Sequence, residues 1–353
     1  MYGFDLLRGL LAFSVMVYHL LSWSNTANLY NLGTFGVYGF FVLSGASMYV
    51  AYSDRMASIS DLVPFLVQRL FRIAPLLIVV GLAWPLLIHT IDKGDMSWRG
   101  LVLDVRTVLT MTPLFGFANP GASSSVVGAW SLGVEFVFYA IFPVLLALYK
   151  SGWKVAIWVC VLFAVVQAAF LRMLFADGKS FAVAWDSYTQ FGAFGFYFAA
   201  GMAIGKLVES GSEWWLTKSR LAVTSAFLVV AAFIAGSSGA SAEITIRGGF
   251  GFFMMLCVCI MVYLSAYLPI GGKFVRIAEW LGLLSYPVYL IHPLVWPDAL
   301  RWSGQLTGGS NVLVATLLTI SLTVCLSVGS WKLIERPAMD FGKRCAKRFL
   351  MKS

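Results

Sequence analysis

FDLLRGLLAFSVMVYHLLSW, residues 4–23, is the stretch whose reading decides the fold. It is apolar over a length sufficient for a helix to cross the ~30 Å hydrocarbon core of a bilayer, yet it carries Arg8 and His19. Their spacing of eleven residues is three helical turns to within about 20°, so the two side chains share a face about 16 Å apart at ~1.5 Å rise per residue. One of them then lies at the membrane surface and the other inside the bilayer, where an ionisable group is costly and is by default a functional candidate. A histidine packed and bonded to a neighbouring helix is the alternative. The segment lacks a small-residue cleavage site and reads as a retained span, not a removed signal peptide.

Composition carries this reading to the rest of the chain. The 353 residues are 60% hydrophobic and only 12% charged, with a mean hydropathy of +0.84; soluble domains carry about twice that charge. An all-α polytopic membrane protein is expected. A net charge of +9 could suggest nucleic acid, but the basic residues concentrate in short loops and in the tail KRCAKRFLMK, residues 343–352. Such a tail suits anionic lipid headgroups, and no nucleic-acid partner is expected. The five cysteines show no paired spacing, so neither a disulfide framework nor a zinc site is supported, and three scattered histidines make no metal site.

Apolar stretches run at about 5–23, 34–53, 70–90, 128–149, 154–175, 188–208, 220–237, 248–268, 278–297 and 311–333, which predicts ten crossings. A shorter stretch, Leu101 to Phe117, holds Asp104 and Arg106 and leads into a loop rich in Gly, Ser and Pro. Whether it crosses decides the topology. Positively charged short loops stay cytoplasmic. If residues 101–117 do not cross, 18 of the 25 Lys and Arg residues fall on the cytoplasmic side; if they do, every later loop reverses and the basic tail is exported. The expectation is therefore ten transmembrane helices in a single bundle, with both termini cytoplasmic and a re-entrant or interfacial segment near 98–125. Residues 1–340 would form one integral-membrane domain, followed by a basic cytoplasmic tail at 341–353. No internal repeat and no separate soluble domain stands out.

Three clusters outside the first span could carry chemistry. In VQRLFRIAP, residues 67–75, Arg69 and Arg72 are three apart on one helical face at the cytoplasmic start of the third span. With Arg8 they would place three arginines at one rim, suited to phosphate because guanidinium stays charged and offers forked donors; basic residues at helix ends are also routine topology anchors. WSLGVEFVFYAIFP, residues 130–143, sets Ser131, Glu135 and Tyr139 four apart, with Pro143 freeing the carbonyl of Tyr139. A carboxylate inside the bilayer must pair, bond or take up a proton, which makes Glu135 either an acid–base group or a structural partner. LLSYPVYLIHP, residues 283–293, puts Ser285, Tyr289 and His292 on one face, as site residues or with His292 as a helix-end histidine. GVYGFFVLSG, residues 36–45, allows close helix packing or backbone approach to a ligand.

Taken in order, these elements resemble the membrane acyltransferase-3 family, integral-membrane enzymes that decorate bacterial surface and secreted glycans. The Arg8 to His19 spacing matches its opening pattern, GVYGFFVLSG its second-span signature and QRLFRIAP its paired-arginine element. WSLGVEFVFYAIFP and SYPVYLIHP match its glutamate and late Ser-Tyr-His elements, and IERP, residues 334–337, its closing motif. Tyr38 stands where the family often has an aspartate.

The resemblance implies acyl transfer, usually acetyl, from cytoplasmic acyl-CoA to a sugar hydroxyl in the bacterial cytoplasmic (inner) membrane. It puts the key histidine on His19 and the donor-binding arginines on Arg8, Arg69 and Arg72. Acyl-CoA has a polyanionic nucleotide end and a long thin pantetheine arm ending in the thioester, so arginines at one mouth and a base about 16 Å deeper would match its two ends. His19 would deprotonate the acceptor, since an unperturbed imidazole titrates at roughly 6.5, near working pH, or would carry the acyl group itself. Glu135 would orient that imidazole, and Tyr139, Ser285, Tyr289 and His292 would bind the glycan or lipid-linked saccharide acceptor. The competing class is a transporter or flippase for a lipid-linked glycan or organic anion, with the same residues lining a pathway, although the inverted halves common in transporters are not visible.

Overall fold

The computed structural model describes residues 1–56, 61–91, 127–211, 218–237, 246, 248–309 and 311–350. Among these residues every regular element is helical: α1 (Tyr2–Trp23), α2 (Tyr30–Tyr52), α3 (Leu62–Ile91), α4 (Ala129–Lys150), α5 (Trp153–Leu174), α6 (Phe181–Tyr188), α7 (Gly195–Glu209), α8 (Arg220–Gly236), α9 (Gly248–Ser265), α10 (Lys273–Thr307), α11 (Val312–Ser330) and α12 (Arg336–Leu350). Eight helical stretches among the described residues are long and apolar enough to cross a membrane, and α8 is a shorter apolar helix. The segment expected to be re-entrant or interfacial, 98–125, lies outside the described residues. Large apolar side chains such as Trp158, at 72% exposure, and Leu162, at 60%, stand on the outer face of α5. Water would penalise that face and lipid would not.

The chain divides into two compact units, Met1–Met56 with Ile141–Ser285, and Ala57–Ala140 with Tyr286–Ser353; two of the three boundaries fall inside helices, α4 and α10.

The first unit is organised by small residues. Lipid tails are as apolar as leucine, so membrane helices associate through close backbone packing and not through the hydrophobic effect. A Cβ on Gly45 of α2 would stand 2.2 Å from the carbonyl oxygen of Phe198 in α7, and one on Gly201 of α7 would stand 2.0 Å from that of Val42. On the other side of α2, a Cβ on Gly36 or Gly39 would meet Val15 or Leu11 of α1. Helix α1 also meets the first part of α10, where Gly9 faces Leu281 and Gly282 faces Asp5.

The apolar stretch expected as one span at 188–208 is interrupted. Helix α6 stops at Tyr188, a 3-10 turn covers Phe191–Ala193, and α7 starts at Gly195. The start of a helix leaves amide donors without intrahelical acceptors. Gln167 of α5, itself buried, meets one of them, its Oε1 accepting from the backbone N of Phe196 at 3.1 Å.

In the second unit α3 begins at Leu62, eight residues ahead of the apolar stretch that marked it in the sequence. Arg69 and Arg72 therefore occupy interior turns of α3, not its first turn, because hydropathy ends at charges while the backbone ladder does not. Pro64 sits in the first turn, where its missing N–H costs nothing. At the far end of the chain α11 continues through a π-helical turn, Trp331–Glu335, into α12. Helix α12 lies on α3, with the Phe71 and Phe341 rings 5.3 Å apart and Gly342 allowing the approach.

Gly201→Ala should lower the melting temperature in detergent by the equivalent of about 1–3 kcal/mol, the usual effect of overpacking. Gly329→Ala, where a Cβ meets nothing within 4 Å, should be neutral or stabilising. Equal melting temperatures for the two variants would contradict the α2–α7 packing.

Candidate active site

Helix α1 is unbroken from Tyr2 to Trp23, so Arg8 and His19 share a face at the three-turn spacing read from the sequence. Arg8 is oriented from two sides: Nη1 lies 3.2 Å from Oδ1 of Asp5 and Nη2 lies 3.5 Å from Oγ of Ser47 on α2. A partly exposed pair one turn apart contributes little to stability; its effect is to fix where the guanidinium points. His19 is half-buried, its ring stacked on that of Trp23 at 4.7 Å and 7°, with the Tyr18 ring at 5.2 Å. The imidazole thus has a fixed plane. Tyr38, in the second-span signature, is buried, stacked on Tyr197 at 4.4 Å, and hydrogen-bonded through its hydroxyl to that of Tyr188.

Of the residues singled out in the sequence, Arg8, His19 and Ser285 belong to the first unit, and Arg69, Arg72, Glu135, Tyr139, Tyr289 and His292 to the second. The second unit brings three of them into one connected group. The guanidinium carbon of Arg69 lies 5.3 Å from the centroid of the Tyr139 ring and 5.6 Å from that of Phe65. Tyr139, buried, donates its hydroxyl to Oε1 of Glu135. The cation rests on the ring face, and the ring's edge holds the carboxylate. A cation over an aromatic face is worth about 0.5–2 kcal/mol, more when desolvated.

Beside it, Ser131 and Tyr289 share a hydroxyl–hydroxyl bond of 2.9 Å, and Ser131 also donates to the carbonyl of Gly128 at 2.9 Å. Gly128 lies against the Tyr289 ring, where a Cβ would be 2.5 Å from it. Tyr286 donates to the carbonyl of Ile73 on α3 at 2.6 Å. His292 is fully buried with Nδ1 2.8 Å from the carbonyl oxygen of Val288, which makes Nδ1 the donor. Ser285 turns its hydroxyl back onto the carbonyl of Gly282 at 2.7 Å. Ser285, Tyr289 and His292 do lie on one face of α10, but they engage different partners.

In the sequence Glu335 figures only as a letter of IERP. It is 4% exposed, on the π-helical turn, and its carboxylate accepts from Oγ of Ser330 at 3.3 Å. Arg72 acts on it electrostatically. The usable signal was a carboxylate directly after an apolar span, and π-turns inside helices recur at functional sites. Among the described residues no three His, Cys, Asp or Glu side chains converge in a way that could hold a metal ion.

Arg69 and Glu135, both part-buried, are joined through the buried Tyr139 among apolar helices, and comparison with known proteins supplies the class. The chain belongs to the acyltransferase-3 family, whose model, described as an acyltransferase domain, matches residues 1–332. It is similar to Nodulation protein 10 of Rhizobium leguminosarum bv. viciae, 26% identical over 96% of this chain and 93% of that protein. It is also similar to the exopolysaccharide production protein ExoZ of Rhizobium meliloti (strain 1021), 27% identical over 93% of this chain and 96% of ExoZ. YrhL of Bacillus subtilis (strain 168), named as a candidate peptidoglycan O-acetyltransferase, is 27% identical over 98% of this chain, which spans 56% of YrhL. No solved structure matches the chain.

A double-mutant cycle of Ser131→Ala and Tyr289→Phe, read by unfolding in detergent, should return a coupling of about 0.5–1.5 kcal/mol. Strict additivity would show that the two hydroxyls do not bond.

Proposed function

We propose that this membrane acyltransferase moves an acyl group, acetyl by preference, from cytoplasmic acyl-CoA to a hydroxyl of an exported or cell-surface glycan. The observation that carries the reading is α1, one continuous helix presenting Arg8 and His19 on a single face, in a chain of an acyltransferase family. Names of relatives that refer to exopolysaccharide production and peptidoglycan O-acetylation support a glycan acceptor. The basic bias of the loops supports ten crossings with both termini cytoplasmic, in the bacterial cytoplasmic membrane.

In this mechanism His19 takes the proton of the acceptor hydroxyl as its oxygen attacks the thioester carbonyl. The C–O bond forms and the C–S bond breaks. CoA leaves as the thiolate, and the imidazolium returns the proton to sulfur. Arg8, Arg69 and Arg72 bind the phosphates of CoA, a role suited to forked, permanently charged donors. Glu135, held by Tyr139, is a second acid–base group, while Tyr139, Ser285, Tyr289 and His292 contact the acceptor.

Purified protein given labelled acetyl-CoA and a candidate glycan should transfer label, and His19→Ala should reduce the rate by about 10²–10⁴-fold, the usual contribution of a general base. Transfer at full rate by His19→Ala would remove the catalytic assignment. Flux of a lipid-linked glycan into proteoliposomes with no acyl donor present would replace the enzyme by a transporter.

A further inference from the structure

Helix α11 carries a line of wholly buried hydroxyls. Thr319, Thr323 and Ser327 are each 0% exposed and Ser330 is 8% exposed, at spacings of four, four and three residues on one face. Leu317, on the opposite side of the helix, and Leu313, on its flank, are both more than half exposed and suited to lipid. A serine or threonine in an apolar helix ordinarily satisfies itself by bonding a carbonyl one turn back. Thr319 does so on Ala315 at 2.8 Å, and Ser330 on Ser327 at 3.0 Å. Thr323 and Ser327 do not: among the described residues neither hydroxyl oxygen has a hydrogen-bond partner, and both are closed to solvent. A buried hydroxyl left unbonded costs about 1–3 kcal/mol, and valine or alanine would fill the same space without that cost.

The line has a direction. At one end Ser330 bonds Glu335, the π-helical turn packs against α3, and Arg72 acts on the carboxylate. From that end the hydroxyls run back about 16 Å along α11, eleven residues at ~1.5 Å rise. All of this lies within the second unit. A ligand matching that layout has an anionic end for arginine and a narrow arm with amide groups spaced along it, to which hydroxyls can both donate and accept.

We propose that Thr323 and Ser327 hydrogen-bond the amides of the pantetheine arm of the acyl donor. This rests on the functional reading above and assigns to α11 a binding role for the arm, separate from the arginines that take the phosphates. The donor, when bound, supplies the partners that these hydroxyls otherwise lack.

The test uses Thr323→Val and Ser327→Ala in the full chain, with binding of CoA and of pantetheine measured by titration and transfer measured from acetyl-CoA and from S-acetyl-pantetheine. Each variant should weaken binding and raise KM by about 3- to 10-fold, the effect of one hydrogen bond, by the same factor for the nucleotide-bearing and the truncated ligand. The melting temperature should stay level or rise, because an unsatisfied group has been removed. Unchanged affinity for both ligands would overturn the inference and leave water as the partner. A defect confined to CoA would overturn it by moving the hydroxyls to the nucleotide end, and a fall in melting temperature with unchanged affinity would make them structural. If the unmodified protein binds pantetheine but transfers nothing, the functional reading fails while the binding assignment stands.

Discussion

Hydrocarbon offers no hydrogen bonds, and that single deprivation explains more of this molecule than any pairwise contact. Each polar group carried into the membrane must find its partner inside the protein. Gln167 answers for an amide exposed by the break before α7, and Tyr286 reaches a carbonyl of α3. Asn31, fully buried, donates to both the carbonyl and the hydroxyl of Ser237 at the end of α8. In water such groups could have stayed solvated with no such partner. Here their bonds are conditions of folding, and the few hydroxyls that evade the rule stand out for that reason.

The same condition shapes the chemistry. An arginine inside a bilayer-spanning unit is expensive, yet Arg69 sits on the faces of Tyr139 and Phe65. The aromatic rings lower that cost, and Tyr139 joins the cation to Glu135 through its hydroxyl. A charge held this way is fixed in place and not carried on a mobile side chain.

Much of this was legible in the sequence because periodicity survives in the structure. The three-turn spacing of Arg8 and His19 needs only that α1 be continuous, and it is. Glu135 and Tyr139, four and eight residues beyond Ser131 on one face of α4, follow from the same arithmetic. Hydropathy misled where it was asked to find helix ends. It began the third span after Arg69, since charge interrupts an apolar window but not a backbone ladder, and it ran through the break at Phe191–Ala193, where every residue is small or apolar. The Ser131–Tyr289 pair lay beyond reach because it joins residues 158 apart, and a single sequence contains no measure of proximity across such a distance. Glu335 was hidden by its setting: a π-turn, which widens the helix by one residue, has no compositional mark.

The glycines that face one another across α2 and α7 have a consequence for how the helices can move. Displacing α2 by one turn along its neighbour would bring Phe41 or Tyr49 to the height of Gly45, where no space exists for even a methyl group. Gly201 and Gly205 impose the same restriction from the α7 side. The pair works as a key in a slot: sliding is blocked in both directions, and rotation is limited by the carbonyls that the glycines admit. Conformational adjustment during turnover must then come from elsewhere in the first unit, with α2 and α7 carried along as one rigid piece.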